Sequence, residues 1–247
     1  MRHISGRRLV YFNSHPWQSG WPCPAPEPRR LSVAICSQTG SGALAIAERL
    51  ATYLHANAAA NDPPWQVFAK SLMTKVLEDH HLPTRLARFL PEDARGEVND
   101  VLDELAGLHP PSWVIVKQSV ETILHLARSG NSILVGWGAC AITSKLPNVL
   151  HVRVVASLES RIARIQAREN LSPKAAASFI ERSDRGRARY LRKHFRQEIS
   201  NALLYGLTVN TDHFTDVEVT QLIGQALLQR RRATPVAIQS LHRAAEL

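Results

Sequence analysis

The stretch from Leu31 to Leu54 constrains the fold of this chain more than any other part of its sequence. A short apolar run, Leu31 to Ile35, is typical of a buried strand, and a polar turn, Ser37 to Gly42, follows it. After the turn, apolar residues recur at the spacing of one helix face. They are Leu44, Ile46, Ala47, Leu50, Ala51 and Leu54. The pattern predicts a strand, a glycine turn and a helix in immediate succession.

The glycine turn has the composition of a phosphate-binding loop. Glycines let the backbone curve around an anion, and the first turn of a helix offers unpaired N–H groups and the positive end of the dipole. The signature GxxxxGK[ST] is incomplete, since Ser37 stands at its first glycine, Ala43 at its lysine and Leu44 at its hydroxyl. A simple connector between a strand and a helix explains this stretch equally well, so the residues alone leave both interpretations open.

Composition narrows the class of protein. The chain has 247 residues, of which 45% are hydrophobic, and this is enough for one large α/β domain. It has no apolar run of membrane-spanning length and no signal peptide, and its three cysteines lack CxxC spacing. We therefore expect a cytoplasmic protein with reduced thiols, no membrane association and no metal site. The net charge of +9 suits phosphorylated ligands, nucleic acid or an anionic surface.

The sequence predicts a tail, one folded domain and a second tail. Residues 1–30 contain closely spaced prolines with Trp17 and Trp21 among them, and this composition favours disorder or an extended conformation. Residues 31–230 form the domain, with a helical insertion at 84–108 and two arginine-rich helices within 157–196, and residues 231–247 form a basic tail. Strands are predicted at 31–35, 65–68, 132–135, 149–155 and 205–209, alternating with helices at 44–54, 71–80, 112–129, 158–169, 173–195 and 215–230.

This alternation predicts an α/β fold, a parallel sheet with helices on both faces. Ligands of such sheets bind beyond the carboxyl ends of the strands. Small polar residues or glycines follow three of the predicted strands, at Ser37–Gly42, at Gly136–Gly138 and at Asn210 with Thr211. We expect these segments to line a ligand crevice.

Two predicted helices carry arginines at helical spacing. One face holds Arg161, Arg164 and Arg168, and a face of the next helix holds Arg182, Arg185 and Arg189. Guanidinium groups bind phosphate oxygens in pairs and stay charged at any working pH. The pattern favours a lid that closes over phosphates. The alternative is a solvated basic face whose charges are separated by Glu169, Glu181 and Asp184.

Four stretches, taken in order, resemble the cytidylate kinase-like branch of the nucleoside monophosphate kinases. They are VAICSQTGSGALAIAERLA, SILVGWGA, PNVLHVRVVASLESRIARIQARENLS, and IERSDRGRARYLRKHF with LTVNT further on. The resemblance runs from about Leu31 to Leu228. It implies a three-layer P-loop kinase fold, with a five-stranded parallel sheet and a helical, arginine-rich lid. It also implies ATP with Mg²⁺ as the donor and a pyrimidine nucleoside monophosphate as the acceptor.

The resemblance assigns roles by matched position. The implied lid residues, with a catalytic role, are Arg161, Arg164 and Arg168. The implied nucleotide-binding residues are Ser37, Thr39, Gly40, Ser41, Gly42, Ala43, Leu44 and Asn210. The implied acceptor-binding residues are Gly136, Trp137, Gly138, Arg182, Arg185 and Arg189.

The chain also departs from the family pattern. Ala43 replaces a lysine or glycine, Leu44 replaces a basic residue, and Trp137 replaces the arginine of a glycine-arginine-glycine turn. Three hypotheses follow. The first is an ATP-dependent kinase of nucleoside monophosphates. The second is a nucleotide-binding pseudokinase that acts on a protein partner through its tails. The third is a nucleic-acid binder, which the charge permits but which lacks the interleaved aromatic residues that stack on bases.

Overall fold

The computed structural model describes residues 30–59, 62–69, 71–80 and 112–232 of the chain. The predicted N-terminal tail up to residue 29, the predicted insertion at 84–108 and the predicted basic tail from residue 233 lie outside the described residues. Within the described ranges, no helix combines the length and the apolar character needed to cross a membrane.

A sheet of five parallel strands forms the centre of the described part of the chain. The strands are β1 (Ser32–Ser37), β2 (Gln66–Phe68), β3 (Ser132–Val135), β4 (Val149–Val155) and β5 (Leu207–Asn210). Their order across the sheet is β2-β3-β1-β4-β5, and each neighbouring pair is parallel. β1 lies in the middle, where Val33, Ala34 and Ile35 are fully buried, as expected for a strand covered on both faces. The predicted five-stranded parallel sheet is confirmed.

Helices cover both faces of this sheet. They are α1 (Ala43–Ala56), α2 (Ser71–Asp79), α3 (Ser112–Ser129), α4 (Ala139–Ile142), α5 (Leu158–Glu169), α6 (Pro173–Phe195) and α7 (Asp216–Arg232), with a 3₁₀ turn at Ala202–Leu204. Alternate residues of β1 point to opposite faces. Val33 and Ile35 pack with α1 and α7, whereas Ala34 packs with α3, α4 and α6. Two apolar cores therefore lie on either side of the sheet.

The two arginine-rich helices begin and end at residues suited to those positions. Ser157 caps α5 by accepting a hydrogen bond from the N–H of Ser160, and Ser172 caps α6 in the same way, with Pro173 in the first turn. Both helices end at a residue in the left-handed region, Asn170 for α5 and Arg196 for α6, each with φ of 53°. These local signals place α5 and α6 as a helical hairpin at the carboxyl ends of the strands.

The predicted element bounds agree with the structure along most of the chain. The bounds of α3, β3, β4, α5 and α6 were predicted to the residue. The last strand begins two residues later than predicted, because Tyr205 is the C-cap of the 3₁₀ turn, which the sequence pattern missed together with α4. The sequence has too few residues in either element to establish a period.

Candidate functional site

The loop between β1 and α1 has the backbone of an anion cradle. Gly40 and Gly42 have φ of 82° and 88°, a conformation that strains any residue with a Cβ. The loop is closed internally, because both the N–H and the hydroxyl of Ser41 donate to the carbonyl of Gln38, at 3.1 and 2.8 Å. The glycines thus let the chain reverse between the sheet and the start of α1.

The start of α1 presents unpaired amides next to this loop. The N–H of Ile46 bonds back to the carbonyl of Gly42 at 3.1 Å, so it is the first amide of the helical ladder. The amides of Ala43 and Leu44 come before it, and Gly42 supplies no side-chain cap. Helix N-terminal amides of this kind bind phosphate oxygens. Neither side chain adds a polar contact, because Ala43 is buried and Leu44 is an exposed leucine.

The loop is held against the ends of β4 and β5. Gln38 donates its N–H to the carbonyl of Val154 at 3.1 Å and accepts the N–H of Ala156 on its side-chain oxygen, also at 3.1 Å. From β5, the hydroxyl of Thr211 reaches the carbonyl of Ser41 at 3.1 Å. Just before Thr211, the side-chain oxygen of Asn210 accepts the N–H of Asp212 at 3.0 Å.

Arg164 of α5 binds the residue that anchors β5 to the loop. Its guanidinium donates to the hydroxyl and the carbonyl of Thr211, at 3.0 and 3.3 Å, and approaches the carbonyl of Gly40 at 3.5 Å. The helix itself presses on the loop, because a Cβ at Gly40 would lie 2.8 Å from the carbonyl oxygen of Arg161. The lid helix α5 is therefore closed onto the glycine loop.

A second contact between lid and loop is a cluster of charged side chains around Asp184 of α6. One carboxylate oxygen of Asp184 accepts the N–H and the hydroxyl of Thr39, both at 2.8 Å, and a guanidinium nitrogen of Arg187 at 3.0 Å. The other oxygen accepts from Arg161 at 2.6 Å, and Arg187 also contacts the hydroxyl of Thr39. We call Thr39, Arg161, Asp184 and Arg187 the Asp184 cluster.

The Asp184 cluster joins three parts of the chain through buried charge. The side chain of Arg161 is only 9% exposed and that of Arg187 18%. Burial by itself would raise the pKa of Asp184, but the two hydrogen bonds from Thr39 and the charges of Arg187 and Arg161 outweigh it and lower that pKa. Asp184 is therefore ionised at neutral pH, and the cluster carries one net positive charge beside the loop.

Sequence reasoning missed Asp184 and Arg187 as site residues. The repeat of Arg182, Arg185 and Arg189 defined one face of α6, whereas the side chains that pack inward follow a different set of positions. The buried positions of α6 are Ala176, Ile180, Ser183, Gly186, Tyr190 and Leu191. Asp184 and Arg187 are half-buried, and each directly follows one of these buried positions, Ser183 and Gly186, one turn apart. The apolar spacing of α6 was the signal that could have identified both.

The remaining predicted arginines lie away from the described loop contacts. Arg168 is exposed and pairs with Glu169 at 2.7 Å, and Arg185 is exposed and pairs with Glu181. Arg182 and Arg189 are also exposed on α6. The structure thus brings Arg161 and Arg164 to the loop, together with the unpredicted Arg187.

The turn after β3 is filled by aromatic side chains. Gly136, Trp137 and Gly138 all have positive φ, of 81°, 54° and 71°, and Trp137 is the unusual one because it carries a side chain. Its indole N–H donates to the carbonyl of Ala69 at 3.1 Å, just beyond the end of β2. Around Gly138, the rings of α6 leave little space, since a Cβ there would lie 3.1 Å from Phe195.

An open cavity of about 360 Å³ lies between Arg164 of α5 and the β5–α7 connection. Its lining includes Arg164, Thr211, His213, Phe214, Asp216 and Glu218. Phe214 is 42% exposed, so an aromatic face is available beside the guanidinium of Arg164. Such a cavity offers a flat ring a stacking surface.

The donor groups at the loop do not fit a magnesium ion held by the protein. Leu44 occupies the hydroxyl position, the hydroxyl of Ser41 is donated to Gln38, and Asp184 is paired with two guanidinium groups. Among the described residues, no group of three or more histidine, cysteine, aspartate or glutamate side chains is placed to hold a metal. Magnesium is usually held by one or two protein carboxylates together with substrate phosphates and water, and the carboxylate of Asp184 is already engaged by two guanidinium groups.

The fold and the loop define a P-loop kinase-like protein with its lid closed on the loop. The sequence model of the cytidylate kinase-like family matches residues 32–213. Because this match covers most of the chain, the protein belongs to the cytidylate kinase-like family, and the resemblance inferred from the four sequence stretches is confirmed.

Two solved structures are similar to this chain, and the first of them supports the fold. An uncharacterized protein from Eubacterium ventriosum ATCC 27560 aligns with a TM-score of 0.58 and 18% identity, over 80% of this chain and 98% of that one. Shikimate kinase from Bacteroides thetaiotaomicron aligns less closely, with a TM-score of 0.46 and 13% identity over 80% of this chain and 98% of that one. A comparison with curated protein sequences gives no significant match.

Proposed function

We propose that the protein binds ATP at the loop Ser37–Gly42 and transfers its terminal phosphoryl group to a pyrimidine nucleoside monophosphate. The observation that carries this proposal is the contact of Arg161 and Arg187 with Thr39 and Asp184 at the loop. These guanidinium groups would supply the positive charge that a transferring phosphoryl group needs, in a chain whose loop has Ala43 at the lysine position. The cytoplasm, where ATP is abundant, is the proposed location.

The main-chain groups of the loop would bind the donor phosphates. The amides at the start of α1 keep their direction whatever side chains Ala43 and Leu44 carry, so the cradle survives the loss of the lysine. The base would lie in the cavity beside Arg164 and Phe214, and Arg164 would fix the lid to β5 through Thr211. These contacts would bind and orient the donor before any chemistry takes place.

Charge neutralisation during transfer would come from the lid. As an oxygen of the acceptor phosphate forms its bond to the terminal phosphorus and the bond to the leaving diphosphate breaks, negative charge spreads over the phosphoryl oxygens. Arg161 and Arg187 would stabilise that charge, and Arg182, Arg185 and Arg189 are the proposed contacts of the acceptor. No step depends on a magnesium ion held by the protein; magnesium bound to the donor phosphates would neutralise charge there.

A second candidate is a nucleotide-binding pseudokinase that changes shape for a protein partner. It is favoured by the acceptor turn, where the indole of Trp137 bonds to Ala69 and aromatic rings surround Gly138. A family arginine would hold an acceptor phosphate at this turn, but the side chain present there is tied to the protein itself. Binding without turnover is the behaviour expected of such a protein.

A phosphoryl-transfer assay decides between these functions. ATP is offered with a panel of nucleoside monophosphates, with and without Mg²⁺, and turnover on CMP or dCMP is expected. Gly42→Asp places a carboxylate at the cradle and should abolish the rise in melting temperature that ATP causes in the wild type. Arg192→Ala is the matched lid control for Arg161→Ala, since Arg192 is an exposed arginine of α6 paired with Glu198 and has no proposed role in binding or transfer. Binding without turnover supports the pseudokinase, and absence of any nucleotide binding refutes both functions.

A further inference from the structure

The Asp184 cluster is an anion-binding position that is already occupied. Four donors converge on one carboxylate: the N–H of Thr39 at 2.8 Å, its hydroxyl at 2.8 Å, Arg161 at 2.6 Å and Arg187 at 3.0 Å. Three of these donors are a backbone amide and two guanidinium groups, which are also the groups that bind phosphoryl oxygens. The carboxylate of Asp184 therefore occupies a place whose chemistry fits a phosphate.

Two donors of the arginines at this position are not used by the carboxylate. The Nε atoms of Arg161 and Arg187 are both buried and have no hydrogen-bond partner among the described residues. A buried N–H without a partner costs free energy, so each of the two arginines keeps a donor that an incoming acceptor could satisfy. Arg161 is more than nine-tenths buried at its side chain, so water does not compensate it freely.

The position adjoins the glycine cradle. Thr39 directly precedes Gly40, and the hydroxyl of Thr39 contacts Arg187 while its amide points to Asp184. A chain of phosphates that starts at the amides of α1 and follows the loop backward would next meet the donors at Thr39. The two phosphates of a nucleoside diphosphate can be bound by the cradle alone. The third phosphate of a triphosphate must extend beyond the cradle, to the donors at Thr39.

We propose that Asp184 is an internal occupant of the terminal-phosphate position, and that a nucleoside triphosphate, unlike a diphosphate, must displace it. This inference rests on the proposed nucleotide binding and adds a selectivity to it. A phosphoryl group brings three oxygens and a larger charge, so it can accept from both guanidinium groups and from Thr39 in place of the carboxylate. Displacing Asp184 would exchange the contact of its carboxylate with Thr39 for contacts of Arg161 and Arg187 with the bound phosphate, so α5 and α6 would stay against the loop.

The test compares diphosphate and triphosphate affinity when the carboxylate is neutralised. Calorimetry at fixed ionic strength gives Kd for ADP and for a non-hydrolysable ATP analogue, with wild type and Asp184→Asn. Removing the competing charge should tighten triphosphate binding about tenfold and change diphosphate binding less than about twofold. Glu181→Gln is the matched control, because it removes a carboxylate from the same helix that pairs only with exposed Arg185 among the described ion pairs. The control should leave both constants unchanged.

Different outcomes separate this inference from the proposed function. If both nucleotides bind but their ratio stays unchanged in Asp184→Asn, or triphosphate binding weakens, the displacement model is refuted and nucleotide binding stands. If neither nucleotide binds to any variant, both proposals are refuted. If triphosphate binds only to Asp184→Asn, the displacement model is supported.

A measurement on the wild type covers the case in which Asp184→Asn does not fold. The carboxyl carbon of Asp184 is followed by NMR during an acid titration of the free, ADP-bound and analogue-bound protein. Loss of the Thr39 hydrogen bonds should return the lowered pKa of Asp184 toward its ordinary value with the triphosphate analogue alone. A pKa that stays equally low in all three states refutes displacement.

Discussion

Two glycines of the loop share a strained conformation but differ in what surrounds them. Gly40 and Gly42 have φ of 82° and 88°, so alanine is strained at either position. A Cβ at Gly40 would lie 2.8 Å from the backbone oxygen of Arg161, whereas at Gly42 the nearest atom, on Asp216, is 3.5 Å away. Comparing Gly40→Ala with Gly42→Ala therefore separates two contributions to the loss of stability. One is the strained backbone conformation, which both share, and the other is the displacement of α5 from the loop, which only Gly40→Ala requires.

The expected losses of stability differ by the cost of that contact. A residue with a Cβ in the left-handed region costs about 1–2 kcal/mol, partly offset by the smaller entropy of the unfolded chain, so Gly42→Ala should lose about 1 kcal/mol. Gly40→Ala bears the same cost plus that of overpacking against a backbone atom, a further ~1–3 kcal/mol. The helix backbone cannot rotate away as a side chain could, so α5 must move with Arg161 and Arg164.

Urea unfolding monitored by circular dichroism measures the difference. With a slope of about 2 kcal/mol/M, each kcal/mol lowers the midpoint by about 0.5 M, so Gly40→Ala should unfold about 0.5–1.5 M before Gly42→Ala. The comparison assumes an unchanged slope, which the same curves report. Equal midpoints for the two variants would show that α5 does not rest on Gly40, and the closed lid described above would be refuted.

Three further changes test the charges and contacts of the described domain. Arg161→Met leaves the half-buried Asp184 without its closest cation and should lower the free energy of unfolding in urea by about 2–4 kcal/mol. The control Arg168→Met should lower it by less than about 1 kcal/mol, because the pair of Arg168 with Glu169 is exposed to solvent. Equal losses would contradict the burial of the Arg161–Asp184 pair. Burial lowers the pKa of His151 to about 4 in the folded protein. As the pH falls below about 6.5, His151 is therefore protonated in the unfolded chain but stays neutral in the folded protein, and this favours unfolding. Stability should fall by about 2 kcal/mol between pH 7 and pH 5, and His151→Gln should reduce that slope; an identical slope would exclude His151 as its source. Trp137→Phe keeps a ring in the turn but removes the hydrogen bond to Ala69, and the same unfolding assay should show a loss of about 1 kcal/mol, with no loss if the bond is absent in solution.

Sequence patterns predicted the fold because each strand and long helix carries its own local signal. β4 is an apolar segment in which His151 and Arg153 are the two polar residues. α6 is preceded by the cap Ser172 and begins at Pro173. The bounds of both elements could therefore be recognised without tertiary information. The short elements could not be recognised. The four residues of α4 form only one turn, which depends on the packing of the preceding glycine turn.

The site was harder to predict than the fold, because side-chain partners are not encoded by spacing alone. Arg161 and Arg164 lie against the glycine loop, and the roles assigned to them stay predictions. Glu169 and Glu181 balance surface arginines, as the solvated-face interpretation expects. Asp184, grouped with them in that interpretation, instead turns inward to Thr39. Which side of a helix a charged residue faces is decided by the apolar positions around it.

The position of positive charge has a consequence for how this loop would bind phosphate. A loop lysine moves with the loop and attracts an anion whether a lid is open or closed. Among the residues that the structure describes, the cations with contacts at the loop are Arg161, Arg164 and Arg187, and all three belong to α5 and α6. The electrostatic part of affinity therefore depends on lid closure, and the open protein would retain only amides and the helix dipole. Binding and closure are then one coupled equilibrium, in which each stabilises the other by the same free energy.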